Sequence, residues 1–278
     1  MRQNDVLDRA VVLAECPAPD NLLWQDDHLL LTSGKRVLLL DSLHQEGAEL
    51  EEILHFDSEI TALAAAEDGS LAVALGASGI FIVGGVHDGK IIASLGGRPL
   101  IAPTALDFAG ADTLFICLGA DIGPGDSWQS MTGSVWRVSL SGGTAVCLAS
   151  DLAYPSGLLL HDGRIAVAEA GRKRLLDFST LEREAPRILR DDLPGHPGRL
   201  SPAPGGGAWL AVFAPPAPVH SSGLALRLDR ALTPIAALQS HVEAKRYGVA
   251  SCLEIRDELI VACKSGDVVV VADVADVA

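Results

Sequence analysis

The chain has 278 residues, of which 49% are hydrophobic and only 4% aromatic, so its core must be built mainly from aliphatic side chains. Its 21 basic and 36 acidic residues give a formal net charge of −15. Nucleic acids and anionic membrane surfaces bind basic protein surfaces, so this charge balance argues against both as partners. The longest basic run, at 172–174, is predicted to be a solvated turn.

The N-terminal sequence MRQNDVLDRA has no apolar segment of the kind found in signal peptides, and no apolar stretch in the chain reaches 18 residues. We therefore expect a soluble cytoplasmic protein. The five cysteines form no CxxC pair, and each lies in or beside an apolar run. This pattern predicts reduced, buried thiols. The oligomeric state stays open.

One sequence pattern recurs six times along the chain. It consists of a short apolar run, an Asp- or Gly-rich turn, and further short apolar runs. Short segments rich in Val, Ile and Leu, joined by tight turns, are typical of β-strands. No segment keeps a 3.6-residue apolar period over three turns, which argues against regular helices. The predicted repeats cover residues 21–56, 60–96, 103–150, 156–190, 197–239 and 249–274.

Six units of four strands predict an all-β fold, a six-bladed β-propeller with four-stranded blades, which occupies residues 1–278 as a single domain. The sixth unit contains only three strands, and the apolar segment AVVLAEC (10–16) is left over near the N-terminus. We predict that this segment supplies the outermost strand of the sixth blade. Such closure joins the two ends of the chain and removes an exposed sheet edge.

The first strand of each blade is expected to line a central channel, and its start lies on the same face as the end of the second strand. We predict His196, Glu169 and Asp20 as general acid–base residues on this face. A buried guanidinium needs a carboxylate, which for Arg199 could come from a ligand or from Glu169 or Asp20. The ends of second strands add Lys264. The predicted substrate-binding residues are Arg199, Ser156, Asn21, Thr104, Asp121, Trp128, His220 and Tyr247.

Two insertions, 119–131 and 214–222, join second to third strands and are longer than a hairpin requires. They are rich in Gly and Pro and carry Asp121, Trp128 and His220. Long loops of this kind often form the rim or lid of a pocket. The alternative is a pair of packed surface loops with no ligand.

Four segments carry a resemblance to a known family: LAYPSGLLL, VAEAGRKRLL, LPGHPGRL and GAWLAVFAPP, between residues 152 and 216. They resemble the motifs of the strictosidine-synthase-like branch of six-bladed propellers, which is related to the gluconolactonase and regucalcin propellers. The resemblance covers roughly residues 100–265. It implies an enzyme acting on a small molecule, foremost a hydrolase of a lactone or an ester.

The resemblance to gluconolactonases also implies a divalent metal, held by a Glu, an Asn and an Asp. The matching positions here are Asp20, Ser156 and Gly198, and Arg199 follows the last of them. One carboxylate and one hydroxyl beside a guanidinium make a poor ligand set for a hard cation. We therefore expect neither a metal nor another cofactor.

Strictosidine synthase itself uses a Glu on the first strand of its sixth blade. The matching position here is Ala250, and Glu254 lies farther along the strand, where it is either buried or begins the turn. Genuine strictosidine synthase activity is therefore not expected.

The expected mechanism is activation of water by His196, Glu169 or Asp20, with Arg199 stabilising negative charge on a small-molecule substrate. Two other functions remain open. One is a condensing or isomerising enzyme of a specialised pathway that uses a different acid–base residue. The other is a non-catalytic propeller that binds a ligand or a protein through its open face.

Overall fold

The computed structural model describes residues 2–4, 6–41, 43, 46–119, 130–213, 223–240 and 248–277. Helical structure in this part of the chain is limited to α1 (Val6–Arg9) and four 3₁₀ turns. The 3₁₀ turns are Gly85–His87, Ala170–Arg172, Lys264–Gly266 and Val274–Val277. None of the helices in these ranges is long and apolar enough to span a membrane.

The fold is a six-bladed β-propeller, as the repeats predict, and each blade contains four antiparallel strands. Blade 1 contains β3 (Pro19–Gln25), β4 (His28–Ser33), β5 (Arg36–Leu40) and β6 (Glu51–His55), and blade 2 contains β7 (Ala62–Ala65), β8 (Leu71–Ala74), β9 (Ile80–Val83) and β10 (Ile91–Ile92). Blade 3 contains β13 (Pro103–Ala109), β14 (Thr113–Leu118), β15 (Gly133–Ser139) and β16 (Ala145–Leu152), and blade 4 contains β17 (Pro155–His161), β18 (Arg164–Glu169), β19 (Arg174–Ser179) and β20 (Arg187–Arg190). Blade 5 contains β21 (His196–Pro202), β22 (Ala208–Phe213), β23 (Gly223–Leu228) and β24 (Pro234–Ser240), and blade 6 contains β25 (Val249–Ile255), β26 (Glu258–Cys263), β27 (Val268–Asp273) and β2 (Val11–Glu15).

Two-residue turns connect the first and second strands of several blades. In blade 4 the turn residues Asp162 and Gly163 both have positive φ, at 44° and 73°. The same pattern occurs at Asp26–Asp27 in blade 1 and Arg256–Asp257 in blade 6. Two consecutive left-handed residues form the turn whose twist matches that of the flanking strands. The Asp- and Gly-rich turns in the sequence therefore fix the register of these hairpins.

The predicted closure is confirmed, because β2 pairs antiparallel with β27 as the outermost strand of blade 6. The structure also contains a strand that the sequence did not predict. The segment β1 (Arg2–Asn4) pairs parallel with β24, so blade 5 gains a fifth strand at its outer edge.

The last predicted strand of the second repeat, 90–96, is divided. Only Ile91–Ile92 pairs with blade 2, whereas β11 (Ser94–Leu95) forms a small separate hairpin with β12 (Arg98–Pro99). Gly96 and Gly97 both have positive φ and form its turn. A pair of glycines favours a hairpin at this point over a continuous strand.

The chain divides into two compact units, each with its own blades. Met1–Phe56 and Pro194–Ala278 form the first unit, which contains blades 5, 6 and 1. Asp57–Leu193 form the second, which contains blades 2, 3 and 4. Within the first unit β25 contacts both β3 and β21, and within the second β13 contacts both β7 and β17. The first strands of neighbouring blades therefore pack together in each unit.

The buried side chains in both units are mainly Leu, Val, Ile and Ala, as the composition predicts. Among the described residues Trp209 is the largest fully buried side chain, and it lies in the core of the first unit. All five cysteines are free thiols; four are buried and Cys147 is half-buried. Burial raises the pKa of the Cys16 and Cys147 thiols, which keeps them in the unreactive thiol form.

Candidate functional site

The first strands begin with a shared backbone feature. The residue just before the strand is left-handed at Ala18, Ala102, Tyr154 and Gly248, with φ between 46° and 69°. A shift of register follows within the first residues of β3, β13, β17 and β25. Bulges of this kind turn a side chain away from its regular direction and are common beside binding sites. Four of the predicted site residues lie at these bulges: Asp20, Asn21, Thr104 and Ser156.

In the first unit, Asp20 forms ion pairs with two cationic side chains. Arg199 donates to Asp20 Oδ1 from Nε at 3.0 Å and from Nη2 at 2.9 Å. Lys264 donates from Nζ to Asp20 Oδ2 at 2.5 Å. Of the two carboxylates proposed as partners for Arg199, the structure therefore selects Asp20. Each oxygen of Asp20 accepts from a protein cation.

Backbone contacts hold both ends of the Asp20–Lys264 pair in place. Asp267, which follows the Lys264–Gly266 turn, accepts from Ala18 N at 2.8 Å through its carboxylate. Its backbone oxygen accepts from Cys16 N at 2.9 Å. Ser251 Oγ donates to the backbone oxygen of Asp20. The start of β3 is thus fixed against the loop that carries Lys264.

The surroundings of Asp20 keep it ionised. Burial alone would raise the pKa of Asp20, but Arg199 and Lys264 offset this effect, so the pKa is below its ordinary value. A carboxylate with a low pKa is a weak base and carries no proton at neutral pH. The predicted role of Asp20 as a general acid–base residue is therefore not supported by its electrostatics.

The other predicted residues of this unit have different environments. Asn21 is buried, and its Nδ2 donates to Thr32 Oγ1 at 2.7 Å. The side-chain amide of Asn21 therefore forms a hydrogen bond within blade 1. His196 is the first residue of β21, is half-buried, and pairs in register with Phe213. Phe213 is 45% exposed at the end of β22. Tyr247 and His220 lie outside the described residues.

In the second unit, Glu169 is fully buried at the end of β18 and accepts from three groups. Ala153 N and Arg172 Nη1 donate to Oε1 at 2.6 and 3.1 Å, and Arg174 donates to Oε2 from Nε. Arg172 also contacts Met131 Sδ. The basic run at 172–174, which was predicted to be a solvated turn, therefore contributes two arginines that pair with the buried Glu169 carboxylate. Glu169 has the environment of a structural ion-pair centre.

Two predicted hydroxyls in this unit bond to the backbone. Thr104 Oγ1 donates to Pro155 O at 2.5 Å, which connects blade 3 to blade 4. Ser156 Oγ donates to Ala168 O at 3.2 Å within blade 4. Asp121 and Trp128, and with them most of the first insertion, lie outside the described residues.

One titratable residue was missed by sequence reasoning. Burial raises the pKa of Asp107 to about 6, although its carboxylate accepts from the backbone of Leu160 and Phe108 at 3.0 and 2.9 Å. Strongly shifted groups often mark functional sites. Here the two oxygens are occupied by backbone amides of adjacent blades, which indicates a structural role.

The donor set does not fit the divalent metal that the resemblance implies. Both oxygens of Asp20 accept from cations, Ser156 donates to a backbone carbonyl, and the third position is Gly198. Within the ranges that the structure describes, no three His, Cys, Asp or Glu side chains are grouped as metal ligands.

The fold is a six-bladed β-propeller, and its two charged clusters combine residues from the starts of first strands and from the ends of second strands. Similar structures include a gluconolactonase from Xanthomonas campestris, with a TM-score of 0.72 and 16% identity over 94% of this chain and 88% of that chain. The calcium-binding protein regucalcin from Agrobacterium tumefaciens matches with a TM-score of 0.67 and 14% identity, over 95% of this chain and 92% of that chain. A chain of a nidogen–laminin complex matches with a TM-score of 0.60 and 15% identity, over 84% and 81%. No protein-family model and no curated protein sequence matches the chain.

At these identities the likeness shows the fold. Propellers of the gluconolactonase type are therefore structural neighbours of this chain, as the resemblance in sequence motifs predicted. The same fold also occurs in a chain of a protein–protein complex, so the fold alone does not define the function.

Gly248→Ala tests how the loop contacts place Lys264. Gly248 has a φ of +69°, its carbonyl accepts from Lys264 N, and an added Cβ would lie 2.7 Å from Ser265 Cβ. Backbone strain and this overlap are expected to destabilise the protein by about 2 kcal/mol in urea unfolding. Gly205→Ala is the matched control, because Gly205 also has positive φ but open space around it. Equal losses in the two variants would contradict the packing role.

Proposed function

We propose that the protein is a hydrolase that opens a lactone or cleaves an ester in a small molecule, at the face where the first strands begin. The observation that carries the proposal is the structural match to a gluconolactonase, which extends over 94% of this chain. The Asp20, Arg199 and Lys264 cluster supports it, because Arg199 is a cation held on β21, the strand that begins at half-buried His196. Fixed donors of this kind stabilise the oxyanion of acyl-transfer reactions.

The proposed general base is His196. Two of the three acid–base candidates are carboxylates that already pair with cations. Asp20 accepts from two cations, and Glu169 accepts from two cations and a backbone amide. Imidazole groups exchange protons near neutral pH, which suits activation of water. The roles assigned to Asp20 and Glu169 are to hold cations in position.

The reaction proceeds by attack of water on the carbonyl carbon. His196 removes the proton from the attacking water, and the negative charge on the carbonyl oxygen is stabilised by the Arg199 and Lys264 cations. The bond from the carbonyl carbon to the ring or ester oxygen then breaks. The proton on His196 passes to that oxygen, which becomes a hydroxyl group, and the carboxylic acid formed at the carbonyl carbon releases its proton to solvent.

The test is steady-state hydrolysis of aldonolactones and simple esters by wild type and His196→Ala. Loss of the general base is expected to lower kcat/KM by about 10²–10⁴-fold. His55→Ala is the matched control, because His55 is 58% exposed on the outer strand of blade 1. An unchanged rate in His196→Ala, or a wild type that hydrolyses none of these compounds, would overturn the proposal.

A further inference from the structure

We propose that Lys264 and Arg199 form a binding site for the carboxylate group of a small organic anion, and that this site works without a metal. The choice of a hydroxycarboxylate as the ligand rests on the proposed function, because opening a lactone always produces a hydroxy acid. Binding itself can be measured without any turnover.

The charge at Asp20 differs in sign from that of the whole chain. The chain carries a formal charge of −15, whereas the three side chains Asp20, Arg199 and Lys264 together carry a net charge of +1. Arg199 and Asp20 are 19% and 18% exposed at their side chains. Partly buried charges are weakly screened by salt and attract an opposite charge more strongly than exposed ones do. A ligand carboxylate at this position would give Lys264 a second anionic partner.

The ammonium group of Lys264 is accessible and held in place. An ammonium group has three donors, and in the described structure one of them is directed to Asp20 Oδ2 at 2.5 Å. The Lys264 side chain is 50% exposed, so its ammonium can reach a ligand from solvent. Asp20 and the Gly248 contact hold the loop in place before any ligand arrives. This preorganisation reduces the cost of ordering the side chain on binding.

The same contacts exclude divalent cations from Asp20. A hard cation would need the oxygens of Asp20, but Arg199 occupies Oδ1 and Lys264 occupies Oδ2. A cation entering this site would also meet two positive charges. The protein's own side chains thus provide the positive charge here, and the site selects anions over cations.

The same arrangement occurs independently in the second unit. Glu169 is paired with Arg172 and Arg174, and this cluster also has a net charge of +1. There the carboxylate is fully buried and Arg172 and Arg174 are only 33% and 17% exposed. The half-exposed ammonium of Lys264 makes the first cluster the better ligand site.

The experiment is isothermal titration calorimetry of the full chain with sodium gluconate, inorganic phosphate and calcium chloride at low and high ionic strength. Wild type is expected to bind gluconate, more weakly at high salt, and to give no binding heat with calcium. Lys264→Met is expected to weaken gluconate binding about tenfold or more, as for loss of a hydrogen bond to a charged group. Lys264→Arg keeps the charge and is expected to retain most of the affinity.

Arg256→Met is the matched control. Arg256 lies in the turn between β25 and β26, is 72% exposed and pairs with Asp27 beyond the other end of β3. It removes one positive charge from the same unit, so its gluconate affinity should stay at the wild-type value. Circular dichroism melts of all variants confirm that each is folded.

Several outcomes would overturn the inference. These are equal gluconate affinity in wild type and Lys264→Met, binding of phosphate but not gluconate through Lys264, or calcium binding that disappears in Asp20→Asn. The proposed function fails separately. If wild type binds gluconate through Lys264 but hydrolyses no lactone, the proposed function is wrong and the anion site is supported. If wild type hydrolyses lactones but Lys264→Met binds gluconate as tightly as wild type does, the anion site is wrong and the proposed function is unaffected.

Discussion

Glu169→Gln is expected to lower the free energy of unfolding by about 3–5 kcal/mol, which is the usual cost of removing one partner from a buried ion pair. The Glu169 side chain is fully buried and accepts from Arg172, Arg174 and the backbone of Ala153. A neutral amide leaves two guanidinium groups without their counter-ion in a region of low polarity. Urea unfolding at neutral pH measures the loss.

Glu184→Gln is the control for Glu169→Gln. Glu184 pairs with Arg164 at 2.6 Å in the same blade, but both side chains are 36% exposed. Partly solvated pairs contribute about 0–1 kcal/mol, so this variant should lose little. If both variants lose less than about 1 kcal/mol, the buried ion-pair centre at Glu169 does not stabilise the fold.

Trp209→Ala is expected to destabilise the protein by about 3–5 kcal/mol. The indole is fully buried, and its Nε1 donates to Glu254 Oε2 at 2.6 Å. Arg227 lies 5.7 Å from the centroid of the Trp209 ring and 3.6 Å from the same Glu254 oxygen. Truncation therefore creates a cavity and removes one of the two partners of a nearly buried carboxylate.

Trp209→Phe separates these two effects. The phenyl ring keeps most of the packing but cannot donate to Glu254, so a smaller loss of about 1–3 kcal/mol is expected from the unsatisfied acceptor. Differential scanning calorimetry and urea unfolding measure both variants. Equal losses in the Phe and Ala variants would mean that the hydrogen bond to Glu254 matters and the packing does not.

The blades could be predicted because their signals are local. Each hairpin is encoded by a short apolar run and by turn residues that accept a left-handed backbone, as at Asp162–Gly163. The closing strand β2 was predictable as well, because an apolar segment was left over and one blade lacked a strand. By contrast, β1 has the sequence RQN and no apolar signal. Its pairing with β24 uses backbone groups, which any sequence carries.

The site was predictable only in part. Asp20 and Arg199 were identified by their positions at the starts of first strands, but their pairing joins residues 179 positions apart. Lys264 lies 244 positions from Asp20. Ion pairs of this separation depend on how the blades are arranged, so a single sequence offers alternatives without choosing between them. Glu254 likewise shows its role only through its contacts with Trp209 and Arg227.

The most direct test of the central claim is a crystal structure of the wild-type protein grown with sodium gluconate and calcium chloride together. The claim is that the protein's own cations at Asp20 bind a carboxylate in place of a metal. It predicts a gluconate carboxylate about 3 Å from Lys264 Nζ, with the Asp20 pairs to Lys264 and Arg199 intact and no calcium on Asp20. A calcium ion bound to Asp20, with Lys264 displaced, would contradict it, as would gluconate bound away from Lys264.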